Sequence, residues 1–298
     1  MSVVPYILDD LDYYTEAYQT FTRCSAETGA IADWIDTSFQ DTVVKKLASR
    51  VQTEDGALKV LGIGSGAGNI DCALMEKLLP SFPKIDNTII EPAAAQTDLF
   101  KKLIASKGDA LSGVTFEWKQ ETSDAYLDSL FETQTPPTKY HLIHAVHVLY
   151  YATDLEETLK RLYDLLEDGG ILFIITLSGK STINKIHIKM NEICKDVRPL
   201  LRTDDQIKSA LDSVKLPFQS EMVMRYIQGT AIFEPDSLEG KHLLDFLTHS
   251  KDFRETAPDD LCKGILDYLK MPECSEERDG KVWVYRHWVH LTVDKLNT

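Results

Sequence analysis

The sequence predicts an α/β fold: a mostly parallel sheet with helices on both faces and an antiparallel final strand. Three observations predict it. Short apolar runs (LKVLGI, NTIIEP, ILFIIT) recur through the middle of the chain. Stretches of helical apolar spacing separate them. The runs are near-continuously apolar, as strands are when helices bury both faces of a parallel sheet.

Taken in order, the first fifty residues read as helices. Tyr14, Ala17, Tyr18 and Phe21 form an i, i+3, i+4, i+7 stripe, and Ile31, Trp34, Ile35 and Phe39 form a second. LKVLGI (58–63) is the first strand, followed by glycines and a helix over 71–79. NTIIEP (87–92) is the second strand and AAAQTDLFKKLIASK the helix after it. VTFEWK (114–119) and YHLIHAVHVL (140–149) are the third and fourth strands. A helix over 154–166 leads through the turn DGG to the strand ILFIIT (171–176). SEMVMRYI and VWVYRHWVHLTV read as two further strands, the last entered from the turn-like ERDGK, with a helical insertion over 233–277 between them. There is no internal repeat and no low-complexity linker. The expectation is one domain over 1–298: an N-terminal helical substrate cap (1–50), a cofactor-binding core (51–178), and remaining strands with helical insertions around the substrate pocket (179–298).

Composition narrows the function. The formal charge is −15, from 47 acidic against 32 basic side chains. No Lys/Arg block exceeds two residues, so neither nucleic acid nor an acidic membrane is an expected partner. Five scattered cysteines without a C-x-x-C pair fit reduced thiols in a cytoplasmic protein. MSVVPYILDDLDYYTEAY lacks the basic start and apolar core of a signal peptide.

Four of the fifteen glycines fall within seven residues of KVLGIGSGAGNIDCAL, directly after the first strand. Such a cluster marks a tight bend or a close approach of backbone to a ligand. At the carboxyl end of a parallel strand it favours a nucleotide-type cofactor, although a purely structural turn is the alternative. The dinucleotide spacing G-x-G-x-x-G fails, because Asn69 stands at its sixth position. Glu91 ends the next strand, where a carboxylate can accept from both hydroxyls of a ribose, and Gln96 lies five residues on.

His141, His144 and His147 recur every third residue, but on a strand they alternate faces and cannot converge, so no metal is expected. No G-x-S-x-G elbow occurs, and LSGKS lacks the preceding glycine of a phosphate-binding loop.

Strand, GxGxG, helix, strand, Glu is the arrangement of class I S-adenosylmethionine-dependent methyltransferases. GIGSGAGNID, EPAAAQ, KQETSDAY, IHAVHVLYY, DFL…FRETAPDDL and DGKVW, in this order, resemble histamine N-methyltransferase and its carnosine-methylating relatives over nearly the whole chain. The resemblance implies a seven-stranded, Rossmann-like methyltransferase sheet and S-adenosyl-L-methionine as cofactor. It implies an enzyme that methylates a nitrogen of a small amine or imidazole; nothing in the sequence calls for an obligate oligomer, so a monomer is the expectation. It assigns the cofactor to Gly64, Ser65 and Gly66, to Glu91 and Pro92 at the ribose, and to Gln96, Thr122, Ser123 and Val146 around the adenosyl group. It places Glu27 at the substrate's ammonium.

Departures from the family pattern bear on substrate. Arg286 stands for an Asn in the final strand, His147 for a Gln, and Ile183 and His187 for two tryptophans of the amine pocket. A guanidinium suits a carboxylate and repels a substrate that is only cationic. Glu27 and Arg286 together therefore suit an acceptor with both an ammonium and a carboxylate, such as carnosine or histidine; an outward-facing Arg286 is the alternative. His147 and Tyr150 are candidates to orient the acceptor or take its proton. Tyr14, Tyr18, Tyr150 and Tyr151 are candidate pocket walls whose faces stabilise positive charge, or plain core. A methyltransferase for another heterocycle or a carboxylate, or a cofactor-binding protein without turnover, are the competing functions.

Overall fold

The structure, a computed structural model, describes residues 4–25, 31, 33–51, 56–132, 136–194 and 202–296. Helix α1 (Leu11–Ser25) comes first; a π-helical stretch, Ile35–Val44, then runs into α2 (Lys45–Arg50). The alternation that follows is β1 (Leu58–Ile63), α3 (Asn69–Leu78), β2 (Ile85–Ile90), α4 (Ala94–Lys107), β3 (Val114–Lys119), α5 (Ser123–Glu132), β4 (Tyr140–Val146), α6 (Leu155–Asp164) and β5 (Leu166–Leu177). Helices α7 (Thr182–Cys194) and α8 (Asp204–Ser213) precede β6 (Phe218–Val223) and β7 (Tyr226–Gln228). The chain ends with α9 (Leu238–Thr248), α10 (Phe253–Thr256), α11 (Asp259–Leu269), β8 (Ser275–Arg278), β9 (Lys281–Tyr285) and β10 (Trp288–Asp294). Among the described residues no helix is long and apolar enough to cross a membrane.

The chain divides into two compact units. One comprises Thr28–Thr176, Asp205–Glu221 and Val289–Thr298; the other comprises Met1–Glu27, Leu177–Asp204 and Met222–Trp288.

The first unit carries a seven-stranded sheet of order β3-β2-β1-β4-β5-β10-β6, parallel except for the final strand, β10. The strand order reverses at β1, which pairs β2 on one side and β4 on the other. That switch point leaves a crevice beyond the carboxyl ends of β1 and β4. The strand register puts Leu61, Ile63, Ile90, Ile143, Ala145, Leu172 and Ile174 on one face. There they join Leu127 of α5, Leu159 and Leu162 of α6 and Leu211 of α8 in one core. On the opposite face Phe173 stacks on Trp34, with ring centroids 5.4 Å apart, and meets the edge of Phe39 at 5.6 Å. The second apolar stripe read from the sequence is thus the cover of that face. Helix α6 starts where Asp154 accepts a hydrogen bond from the Glu157 N–H, a cap that contributes about 1 kcal/mol.

The second unit packs Ala17 and Phe21 of α1, Ile183 and Ile186 of α7, Leu243, Leu244 and Leu247 of α9, and Ile265 and Leu269 of α11 into its own core. It also holds a three-stranded antiparallel sheet, β7-β9-β8. Inside it Asp245, fully buried, accepts from Tyr13 Oη at 2.5 Å, Lys241 Nζ at 3.1 Å, and the N–H groups of Asp252 and Phe253 at 2.9 Å each. A carboxylate with four donors is stable where an unpaired one would not be.

Four strand expectations are corrected. SEMVMRYI is two strands, because β6 belongs to the seven-stranded sheet and β7 to the small one. VWVYRHWVHLTV divides in the same way into β9 and β10. The two breaks lie side by side: the Arg286 N–H donates to the Arg225 carbonyl at 2.8 Å, and the Arg225 N–H donates to His287 Nδ1 at 3.3 Å. Arg286 therefore belongs to a break between strands and not to the final strand, so strand alternation does not set its direction. The fourth strand ends at Val146, not at Leu149, because His147 takes φ +53° and Leu149–Tyr151 form a 3-10 turn. Strand 275–278, within the expected helical insertion, is the fourth correction; it forms by pairing with β9 across the Asp279–Gly280 turn.

Candidate active site

The cofactor residues read from the sequence come together at the carboxyl edge of the large sheet. Gly64 follows β1, Glu91 and Pro92 follow β2, Thr122 and Ser123 follow β3, and Val146 ends β4. The glycines differ in why they are glycines. Gly64 has φ +63°, and a Cβ there would lie 2.4 Å from Val148 Cγ2, so the loop after β4 presses against the loop after β1. Gly68, at φ +78°, precedes α3 and leaves room for the Phe100 ring. Gly66 also has positive φ, +55°, yet a Cβ there would meet nothing within 4 Å. Its bare side is open to a ligand.

Glu91 is buried, and both of its oxygens are engaged. The Gly66 N–H donates to Oε2 and the Ala93 N–H to Oε1, each at 2.9 Å. The carboxylate thus fixes the glycine loop while each oxygen keeps a lone pair for a ribose hydroxyl. Gln96 and Pro92 are exposed beside it, and Thr122 Oγ1 accepts from the Ala125 N–H at 3.2 Å at the start of α5. An open glycine backbone, an acceptor-rich carboxylate and a half-buried Val146 fit an adenosyl-amino acid. The hydroxyl of Ser65 does not face that open side; it donates to Asp71 at 2.7 Å.

The second unit holds the other group of candidates. Tyr14 and Tyr18 stack on α1 at 6.0 Å, and Tyr18 leans on Phe246 at 5.8 Å. Phe21 stacks on Phe246 at 4.3 Å. The buried Arg286 guanidinium lies over Phe21, 5.6 Å from its centroid. His249 presents an edge to Phe246, and His187 to His249 at 4.7 Å. Ile183, one turn before His187, sits in the core of that unit. Aromatic faces and a cation are thereby gathered from α1, α7, α9 and the β9–β10 break. Phe246 and His249 were not singled out from the sequence. Their signal lay in DFLTHS, where His249 takes φ +49° and ends α9.

His147 and Tyr150 belong to the first unit, in the segment after β4. The positive φ of His147 costs a non-glycine residue about 1–2 kcal/mol and is held by its N–H donating to the Ile175 carbonyl at 2.8 Å. Tyr150 meets Tyr151 edge-on at 4.8 Å. Glu27 lies outside the described residues. Among the described residues no group of three or more His, Cys, Asp or Glu could hold a metal ion.

Residues 29–230 match a methyltransferase domain. Histamine N-methyltransferase B of Xenopus laevis is 34% identical over 284 residues, and histamine N-methyltransferase of Danio rerio 31% over 279; each match covers 93% of both chains. A putative methyltransferase of Bacillus halodurans shares the fold, with a TM-score of 0.50 at 14% identity over 86% of this chain and 100% of that one. The domain match and these relatives make the protein an S-adenosylmethionine-dependent methyltransferase. The chain belongs to the histamine N-methyltransferase family. Its cofactor is S-adenosyl-L-methionine, and it transfers methyl to a nitrogen of a small molecule.

Proposed function

We propose that the acceptor is a small imidazole-containing amine that also carries a carboxylate, of the carnosine or histidine type, in place of histamine itself. The observation that carries this reading is the buried guanidinium of Arg286 over the ring of Phe21, which itself stacks on Phe246. A fixed guanidinium fork binds a carboxylate by two parallel hydrogen bonds and disfavours a ligand that is only cationic. Glu27, by its place in the family pattern, takes the ammonium.

The bound cofactor supplies a sulfonium methyl already activated for in-line displacement, so the residues need not polarise it with a metal. Their work is to hold, orient and exclude water. Gly66 and Glu91 fix the cofactor edge, and Arg286 and Glu27 hold the two charged ends of the acceptor. The aromatic faces of Tyr14 and Tyr18 favour the positive charge that grows on the ring. An imidazole of pKa about 6.5 is mostly neutral at pH 7 and presents its lone pair unaided. The enzyme acts as a monomer, and five scattered cysteines without a C-x-x-C pair suit a reducing, cytosolic setting.

A panel of histamine, histidine, carnosine and unrelated amines with labelled cofactor tests this. Carboxylated imidazoles should be preferred. A preference for histamine would overturn the role of Arg286, and no turnover on the whole panel despite tight cofactor binding would favour a non-enzymatic protein.

A further inference from the structure

We propose that Asp71 is a positioning residue for the cofactor loop, acting through Ser65. The inference rests on the cofactor edge described above.

Asp71 is a carboxylate where α3 would ordinarily offer an apolar contact to the sheet. It lies in the first turn of that helix and is 2% exposed. One oxygen, Oδ1, takes the Ser65 hydroxyl at 2.7 Å and stands 3.3 Å from Nε2 of His144, itself 1% exposed. Room for this cluster comes from Gly62. A Cβ at that position would lie 2.6 Å from Ser65 Oγ, 2.7 Å from Asp71 Oδ1 and 2.9 Å from His144 Cε1. The first glycine of the run therefore has a different purpose from the others: it makes space for a buried polar bridge.

The Ser65–Asp71 hydrogen bond ties α3 to a turn that the cofactor must find in place. Ser65 sits in the tight turn, with its carbonyl accepting from the Gly68 N–H at 3.0 Å. Its neighbour Gly66 donates to Glu91. His144 lies on β4, directly beside Gly62 of β1 in the ladder and two residues before Val146. Asp71 thus holds the Ser65 turn from beneath, by a charge-assisted hydrogen bond, while Glu91 holds Gly66 from the side. With one tie removed the loop samples other turn conformations and the binding geometry is populated less.

The test is calorimetric titration of the full chain with S-adenosylhomocysteine. The wild type, Ser65→Ala, Asp71→Ala and the double variant are compared, with melting temperatures measured in parallel. Each single variant should weaken binding about tenfold or more, and the double variant should be no weaker than the worse single, because both cut one tie. In steady state the KM for cofactor should rise while kcat at saturating cofactor stays within about twofold. Wild-type affinity in Ser65→Ala, additive losses in the double variant, or a lowered melting temperature with unchanged affinity would each overturn the proposal. Glu91→Ala serves as a separate control. If that variant binds normally, the cofactor edge itself is misplaced, whatever Asp71 does.

Discussion

The guanidinium of Arg286 lies over the ring of Phe21, 5.6 Å from its centroid, although the two positions are 265 residues apart in the chain. Phe21 in turn stacks on Phe246, so a cation is held against the aromatic cluster of α1 and α9. Replacing Arg286 by Asn, the residue at that position in the family pattern, should lower kcat/KM for a carboxylated imidazole by about 10–100-fold, the size of a lost charged hydrogen bond. Turnover of histamine should hold or rise. Steady-state kinetics on both acceptors decides it: an equal fall for both would mark Arg286 as a structural residue.

Gly64 and Gly66 should part company when each is changed to Ala. At Gly64 the new Cβ meets both a positive φ and Val148, which should destabilise by about 2–5 kcal/mol. At Gly66 only the φ is unfavourable, so stability should fall by about 1–2 kcal/mol. Its Cβ would project into the open side of the loop, and cofactor affinity should drop more than stability does. Thermal melts and calorimetry on the two variants separate the effects. Normal cofactor affinity in Gly66→Ala would contradict the approach of a ligand on that side.

Acid should weaken the fold partly through His141. Burial holds its pKa below the ordinary histidine value, Glu167 opposing and Lys59 adding to the shift. Its Nδ1 accepts the Lys59 N–H at 2.9 Å, so protonation there sets two hydrogens against each other. A histidine depressed in the folded state leaves the unfolded chain binding more protons. The stability it contributes is therefore complete above about pH 6.5 and declines as pH falls through the depressed folded value. Burial lowers His290 and His287 likewise, and they act in the same direction. Urea unfolding from pH 5 to 7 should show stability rising with pH. His141→Gln should reduce that slope by up to about 1.4 kcal/mol per pH unit; an unchanged slope would exclude His141 as a contributor.

The buried Asp245 offers a test of the second unit's core. Tyr13→Phe deletes one of its four donors and should cost about 1.5–3 kcal/mol, as for a hydrogen bond to a charged group. Lys241→Met removes its countercharge and should cost more, about 3–5 kcal/mol. Denaturant unfolding ranks the two. Equal effects would mean that the hydroxyl and the charge contribute alike.

The parallel sheet was legible because its strands are apolar on both faces, and the glycine loop because positive φ excludes most other residues. Glu91 was legible as a carboxylate at the next strand end. The breaks at Arg225 and Arg286 were not, since each divides a run of good strand formers and depends on a partner about sixty residues away. The inward turn of the Ser65 hydroxyl was equally hidden, because nothing in GIGSGAGNID distinguishes a serine that meets a ligand from one that meets a buried carboxylate three residues into the next helix. Phe246 and His249 went unnoticed because an aromatic at a helix end looks like core until α1 is seen packed beside it.

The pairing of α1 with α9 also sets a timetable for synthesis. Tyr13 and Asp245 are 232 residues apart, and Thr20 meets His242 across 222. At about 5–20 residues per second, the first helix waits roughly ten to fifty seconds on the ribosome before its partner has been made. The apolar stripe of Ala17 and Phe21 spends that time without its native cover, while strands β1 to β5 are already emerging. Slowed translation of the last third of the message should therefore increase loss of the nascent chain to aggregation or proteolysis at its N-terminal end.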